Sequence, residues 1–76
     1  MIHIVYINFP PSVFGAVKLK RDGSYLIAIN ENLPPDEKEK TIKHELAHIR
    51  LDHFNSDKSI QKIEREAEEE AEKIDI

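Results

Sequence analysis

Two proline pairs divide this chain into parts that must fold differently. Pro10-Pro11 and Pro34-Pro35 contain all four of its prolines. Proline has no backbone N–H to donate to a strand ladder, but it is tolerated in the first turn of a helix. The pairs therefore predict that a β region ends near residue 33 and that a helix begins directly after it.

Three segments before residue 33 have the β-branched and aromatic composition that is typical of strands. They are Ile2–Ile7, Val13–Leu19 and Tyr25–Asn30. The last two are separated by a segment containing Asp22-Gly23, a pair that suits the positive φ angles of a tight turn and predicts a hairpin. Three strands with one apolar face need a covering layer.

Helical periodicity in the rest of the chain predicts that layer. The first helix is predicted from Pro35 to His53, with one apolar face. That face is made by Ile42, Leu46 and Ile49. Asn55-Ser56-Asp57 predicts a loop and an N-cap, and a second helix is predicted from Asp57 to Lys73. Its apolar stripe consists of Ile60, Ile63, Ala67, Ala71 and Ile74.

Size and composition restrict the class of protein. The 76 residues, with no cysteine, predict one domain over residues 1–76 and exclude every thiolate metal site and thiol nucleophile. No apolar run is long enough to span a membrane, and Met1–Ile7 lacks the flanks of a signal peptide, so a cytoplasmic protein is expected. With 15 acidic against 11 basic residues and no basic stripe, direct binding of nucleic acid is not expected.

The segment from His44 to His48 reads H-E-L-A-H on the first predicted helix. Histidines at positions i and i+4 project from one face about 40° apart, so both imidazoles can bind one Zn²⁺. Glu45 lies beside them as a candidate general base. A catalytic zinc site normally needs a third protein ligand.

His53 is one candidate for the third ligand. If the helix continues that far, His53 projects about 180° from His44 and about 140° from His48, on the apolar face. The segment between His48 and His53 also contains no glycine to reverse the chain. We therefore expect a role for His53 at the helix end or behind a ligand.

The second helix offers carboxylates. At about 100° per residue, Glu64 falls inside the apolar stripe, whereas Glu66 and Glu69 point outside it. A carboxylate that faces the core needs a cation, and a metal on the preceding helix would supply one. Glu68 lies at the edge of the stripe and could accept a hydrogen bond from a ligand histidine. The reverse assignment, with Glu68 as ligand and Glu64 behind it, stays open, and most of the acidic run 64–72 is expected to be a solvated face.

These motifs resemble the ImmA/IrrE family of zinc metallopeptidases, especially its short versions from phages and other mobile elements. The likeness extends from the opening strands through Ile42–Ile49 to Lys62–Ala67, which is similar to the E-x-x-A block of the family. It implies an α+β, zincin-like domain with a three-stranded sheet and a zinc ion held by His44, His48 and Glu64. The chain departs from the family at Glu68 and Glu70, and the long C-terminal portion of larger members is expected to be missing.

The function that follows is a zinc-dependent endopeptidase acting on a specific protein. Glu45 would be the general base, and the resemblance implies that the substrate is a repressor of a mobile element. Tyr25–Asn30 is predicted to be the sheet edge that binds an extended substrate. Candidates for stabilising the oxyanion are His3, Tyr6, Tyr25 and His53. The alternative is a metal-stabilised binding module that sequesters a regulatory protein without cutting it.

Overall fold

A computed structural model describes residues 1–76, with the exception of the side chain of residue 55. Within that part of the chain, three strands precede two α-helices, which confirms the predicted α+β fold. The elements are β1 (Ile2–Ile7), β2 (Gly15–Leu19), β3 (Tyr25–Asn30), α1 (Pro35–Arg50) and α2 (Ile60–Ala71), with a one-turn 3-10 helix (His53–Asn55) between the helices.

Four element ends differ from the prediction, at the start of β2, the end of α1 and both ends of α2, which stops at Ala71 instead of Lys73. β2 begins two residues late because the N–H of Val13 donates to the carbonyl of Pro10, which forms a turn instead of a ladder. α1 ends at Arg50, three residues early. α2 begins at Ile60, where the Ser59 hydroxyl accepts from the N–H of Lys62 as the N-cap. The predicted cap at residues 55–57 is therefore wrong, and the side chain of residue 55 lies outside the described part.

The strand order of the sheet is β1-β3-β2. β3 pairs antiparallel with β2, as the predicted hairpin requires, and parallel with β1 on its other side. The prediction that β3 is a free edge for substrate was wrong, because both of its edges are occupied by neighbouring strands. Among the described elements, the outer strands are β1 and β2.

The hairpin turn depends on Gly23 and Asp22. Gly23 has φ 87°, a conformation that side chains other than glycine rarely adopt. The Asp22 carboxylate accepts hydrogen bonds from the Ser24 backbone N–H at 2.9 Å and from its hydroxyl at 2.6 Å. These bonds lower the pKa of Asp22 below its ordinary value.

Asn30, at the end of β3, holds the crossing between β1 and β2 in place. Its side chain is buried, and the two hydrogens of its amide nitrogen serve three acceptors, the carbonyls of Val13, Pro10 and Phe9 at 2.8, 3.1 and 3.3 Å. Its side-chain oxygen accepts from the N–H of Asn32. The loop carbonyls, which have no ladder partner, are thereby satisfied.

The apolar core lies between α1 and the β2–β3 hairpin. Ile27 and Ile29 of β3 and Ile42 of α1 are buried there. The partly buried residues packed against them are Val17, Leu33, Leu46 and Ile49. Gly15 permits the close approach of β2 to α1, since a Cβ at this position would lie 2.8 Å from Cγ2 of Thr41.

α2 contributes little to this core. Ala67 is its one buried residue among those described, and Ile60, predicted to lie in the apolar stripe, is 78% exposed. Contacts between α2 and α1 include an Arg50 to Glu70 ion pair with Nε and Oε2 2.9 Å apart. In the described chain no helix has the length and apolar character required to cross a membrane.

Candidate metal centre

Side chains from both helices converge at one point. Nε2 of His44 lies 3.1 Å from Nε2 of His48, which is one turn further along α1. Glu64 of α2 places Oε2 2.9 Å from Nε2 of His44 and Oε1 3.4 Å from Nε2 of His48. The two histidines lie on α1 and Glu64 lies on α2, so the packing of α2 on α1 brings the carboxylate to the histidine pair.

This donor set fits a metal ion. The ligand atoms of His44, His48 and Glu64 all lie within 4.8 Å of one another. Zinc bonds of about 2.0–2.1 Å in tetrahedral geometry separate ligand atoms by about 3.3–3.4 Å, close to the observed spacing. Two imidazoles and one carboxylate are also a common ligand set for a catalytic zinc. The three residues could therefore hold such an ion.

Burial favours the neutral imidazole form of His48, which is the form that can bind a metal ion. The residue is buried, and desolvation lowers the pKa of its ring below the ordinary value. The nearby charge of Glu64 opposes this shift without reversing it. A metal ligand must be neutral imidazole, so the surroundings of His48 reduce the competition from protons.

Glu64 is more exposed than the sequence predicted. Its side chain is 53% exposed and reaches the histidines from the solvent side of the interface between α1 and α2. The expectation of a core-facing carboxylate was wrong because α2 packs through Ala67, which leaves positions one turn away at the rim. Glu64 nevertheless contacts both histidines.

Glu45 lines two cavities beside the three convergent side chains. The smaller, of about 420 Å³, is lined by Glu45 together with His44, His48 and Glu64. The larger cleft, of about 980 Å³, runs from Phe14 and Gly15 past His44 and Glu45 to the end of α2. Desolvation raises the pKa of the Glu45 carboxyl; the charge of His44 opposes this shift without reversing it, and the charge of Glu64 adds to it. A raised pKa makes a carboxylate a better proton acceptor.

Glu68 lines the larger cleft. Within the part of the chain that the structure describes, no hydrogen bond joins it to His44 or His48. Its predicted position behind a ligand histidine stays a prediction.

His53 lies behind His48, one of the two positions that the sequence analysis expected, but the chain reaches it by a turn and not by a continued helix. α1 stops at Arg50, and Asp52 adopts a left-handed conformation with φ 54°. The reversal brings Nδ1 of His53 to 2.9 Å from Nδ1 of His48. The lack of glycine had argued against such a turn, but aspartate is one of the few other residues that adopt this conformation readily.

Glu66 is a residue that the sequence prediction missed. It was assigned to the solvated face, but its Oε1 lies 3.0 Å from Nε2 of His53 and it also accepts from Lys58 Nζ. The hydrogen bonds from Lys58 and His53 lower the pKa of Glu66. No local pattern could reveal the contact, because it depends on the reversal at Asp52.

Comparison with known families agrees with this geometry. A family model for a peptidase family, described as "IrrE N-terminal-like domain" (Peptidase_M78), matches residues 1–73. The chain belongs to this family. The match covers nearly all of the chain, including His44, His48 and Glu64. It confirms the family that the sequence motifs indicated. Comparison with curated proteins and with solved structures gave no significant match.

Proposed function

We propose that this protein is a zinc-dependent endopeptidase that hydrolyses a peptide bond in a specific protein substrate. Family membership supports a metallopeptidase function. The observation that carries the proposal is the convergence of His44, His48 and Glu64 beside Glu45, which lines a cleft. A site with these donors and an adjoining carboxylate suits hydrolysis of an amide.

Each residue has a distinct task in this proposal. His44, His48 and Glu64 hold the zinc, which when bound supplies a water molecule of lowered pKa and polarises the substrate carbonyl. Glu45 accepts the proton of the attacking water and delivers it to the amine that leaves. The raised pKa of Glu45 suits the first of these transfers, in which the carboxylate gains a proton.

The cleft supports a binding path for an extended peptide. β2 pairs with β3 on one side only, and its first residue, Gly15, lines the same cleft as Glu45. A substrate strand hydrogen-bonded to the outer edge of β2 would therefore reach the site. This path replaces the one through β3.

The proposal extends to the identity of the substrate. Resemblance to short family members from mobile elements supports a cytoplasmic repressor encoded near this protein. The partner would be bound as an extended segment and cut once, without a contribution from nucleic acid.

The decisive experiment compares Glu45→Gln with the native protein after both are loaded with Zn²⁺. Candidate repressors from the same genetic neighbourhood are incubated with each, and fragments are identified by mass. We expect cleavage by the native protein and a loss of at least about 100-fold with Glu45→Gln, with zinc content unchanged. Glu69→Gln, an exposed change on α2, is the matched control and should cleave normally.

Two outcomes would contradict the proposal. Equal cleavage by Glu45→Gln would show that Glu45 is not the base. Binding of a repressor without cleavage, unaffected by Glu45→Gln, would favour the sequestering module.

A further inference from the structure

Behind the proposed metal site, a chain of hydrogen-bonding groups leads away from His48. The two Nδ1 atoms of His48 and His53 are 2.9 Å apart, and Nε2 of His53 is 3.0 Å from Oε1 of Glu66. Lys58 Nζ lies 3.0 Å from Oε2 of the same carboxylate. His53 is buried, so this chain is shielded from water at its centre.

The positions of the protons in this chain follow from the acceptor at its end. The Glu66 carboxylate, which carries Lys58 as a cationic partner, can only accept a hydrogen bond. Nε2 of neutral His53 must therefore carry the proton and donate it, which leaves a lone pair on Nδ1. His48 then donates from its own Nδ1 to that lone pair.

This tautomer of His48 is the one that binds a metal through Nε2. With the proton on Nδ1, the lone pair of Nε2 is directed to the point where His44 and Glu64 converge. A carboxylate or carbonyl behind a ligand histidine commonly sets its tautomer and ring orientation. Here the imidazole of His53 performs that task. Because Glu66 fixes the tautomer of His53, it also determines which nitrogen of His48 carries the proton.

We propose that His53 and Glu66 are positioning residues that fix His48 as the Nδ1–H tautomer with Nε2 toward the metal. The inference rests on the metal site of the proposed function, although it concerns neither the substrate nor the chemical step. It assigns a task to the left-handed turn at Asp52, which brings His53 to this position. It also separates Glu66 from the remaining acidic residues of α2.

The first experiment needs no metal. Long-range ¹H–¹⁵N spectra of metal-free protein with labelled histidine distinguish the two tautomers of each ring. We expect His48 as Nδ1–H and His53 as Nε2–H, and we expect His48 to lose this preference in His53→Phe. Finding His48 as the Nε2–H tautomer in the native protein would overturn the proposal.

The second experiment measures zinc affinity by competition with a chromophoric chelator. His53→Phe keeps a ring but removes both hydrogen bonds and should weaken zinc binding by about 10–100-fold. His53→Gln carries both an acceptor and a donor and should recover most of that loss. Glu66→Gln should weaken binding by roughly 10-fold, at the lower end of this range. Glu69→Gln is the matched control and should bind as the native protein does.

The outcomes distinguish this inference from the proposed function. Native protein that binds no zinc would contradict the proposed function, and the histidine spectra would still decide the tautomer. Native zinc affinity in folded His53→Phe, or equal losses in His53→Phe and His53→Gln, would overturn the positioning role. If His53→Phe does not fold, His53→Gln must retain affinity and Glu66→Gln must lose it, and any other pair of results contradicts the inference.

Substituting Glu68→Gln in the same assay tests the residue that the sequence placed behind a ligand.

Discussion

The sheet with α1 and the second helix are held in place by different forces. The first unit surrounds an apolar core of buried isoleucines and has a buried, fully bonded Asn30 at one end. α2 has one buried residue among those described, Ala67, and also contacts α1 through charged groups and histidines. α2, which has less buried apolar surface than the sheet with α1, carries Glu64, one of the proposed metal ligands. A bound ion would therefore contribute most to the position of α2.

The largest expected effect tests the core of the first unit. Ile27→Ala removes a fully buried side chain and should lower the free energy of unfolding by about 2–5 kcal/mol, with or without metal. Ile60→Ala makes the same chemical change on exposed α2 and should alter it by no more than about 0.5 kcal/mol. Urea unfolding of both variants measures the difference. Similar losses would show that α2 is packed as firmly as the sheet.

The next effect concerns metal binding. Free Zn²⁺ at 100 times its dissociation constant should stabilise the native state by about 2.7 kcal/mol. Hydrogen exchange of amides in α2 should slow more than exchange in β3, because the ion would join Glu64 to α1. His48→Ala, which removes a proposed ligand, is the control and should show little response. Equal slowing throughout the sheet would contradict the contrast between the two units.

A smaller effect is expected from the ion pair between the helices. Arg50→Ala removes the nearer of two cationic partners of the largely buried Glu70, the other being Lys73, and should cost up to about 1 kcal/mol, less at high salt. Lys40→Ala removes an exposed pair within α1, with Nζ and Oε1 of Glu37 3.7 Å apart, and should cost almost nothing. Thermal unfolding at low and high salt measures both. A salt-independent loss in Arg50→Ala would indicate packing of the side chain instead of charge.

The smallest effect lies in the hairpin turn, far from α2. The folded-state pKa of Asp22 is lowered by hydrogen bonds from Ser24, so its carboxylate stabilises the fold above the ordinary pKa of 3.8. That contribution is lost as the pH falls through the lowered folded-state pKa. Asp22→Asn should reduce stability slightly at neutral pH, and the difference from the native protein should shrink in acid. Ser24→Ala, which removes the hydroxyl donor, should show the same trend in acid titrations of the folded fraction.

Local patterns predicted most of the elements but not how they meet. Ile2–Ile7 and Tyr25–Asn30 were predicted to the residue, because strand composition and turn residues are read locally. The central position of β3 was missed, since strand order is set by long-range pairing and by the loop that Asn30 holds. The end of α1 was missed because one left-handed residue, Asp52, changes the direction of the chain.

The sequence by itself determined that two histidines and Glu45 share one helix, because the helical period fixes which side chains lie together. It also indicated Glu64 as a candidate on the following helix. Only the tertiary structure decided that Glu64 reaches both histidines from an exposed rim, and that His53 and Glu66 stand behind His48. Those contacts join residues across the turn between two helices. Their geometry depends on packing at Ala67 and on the reversal at Asp52, which no periodic pattern encodes.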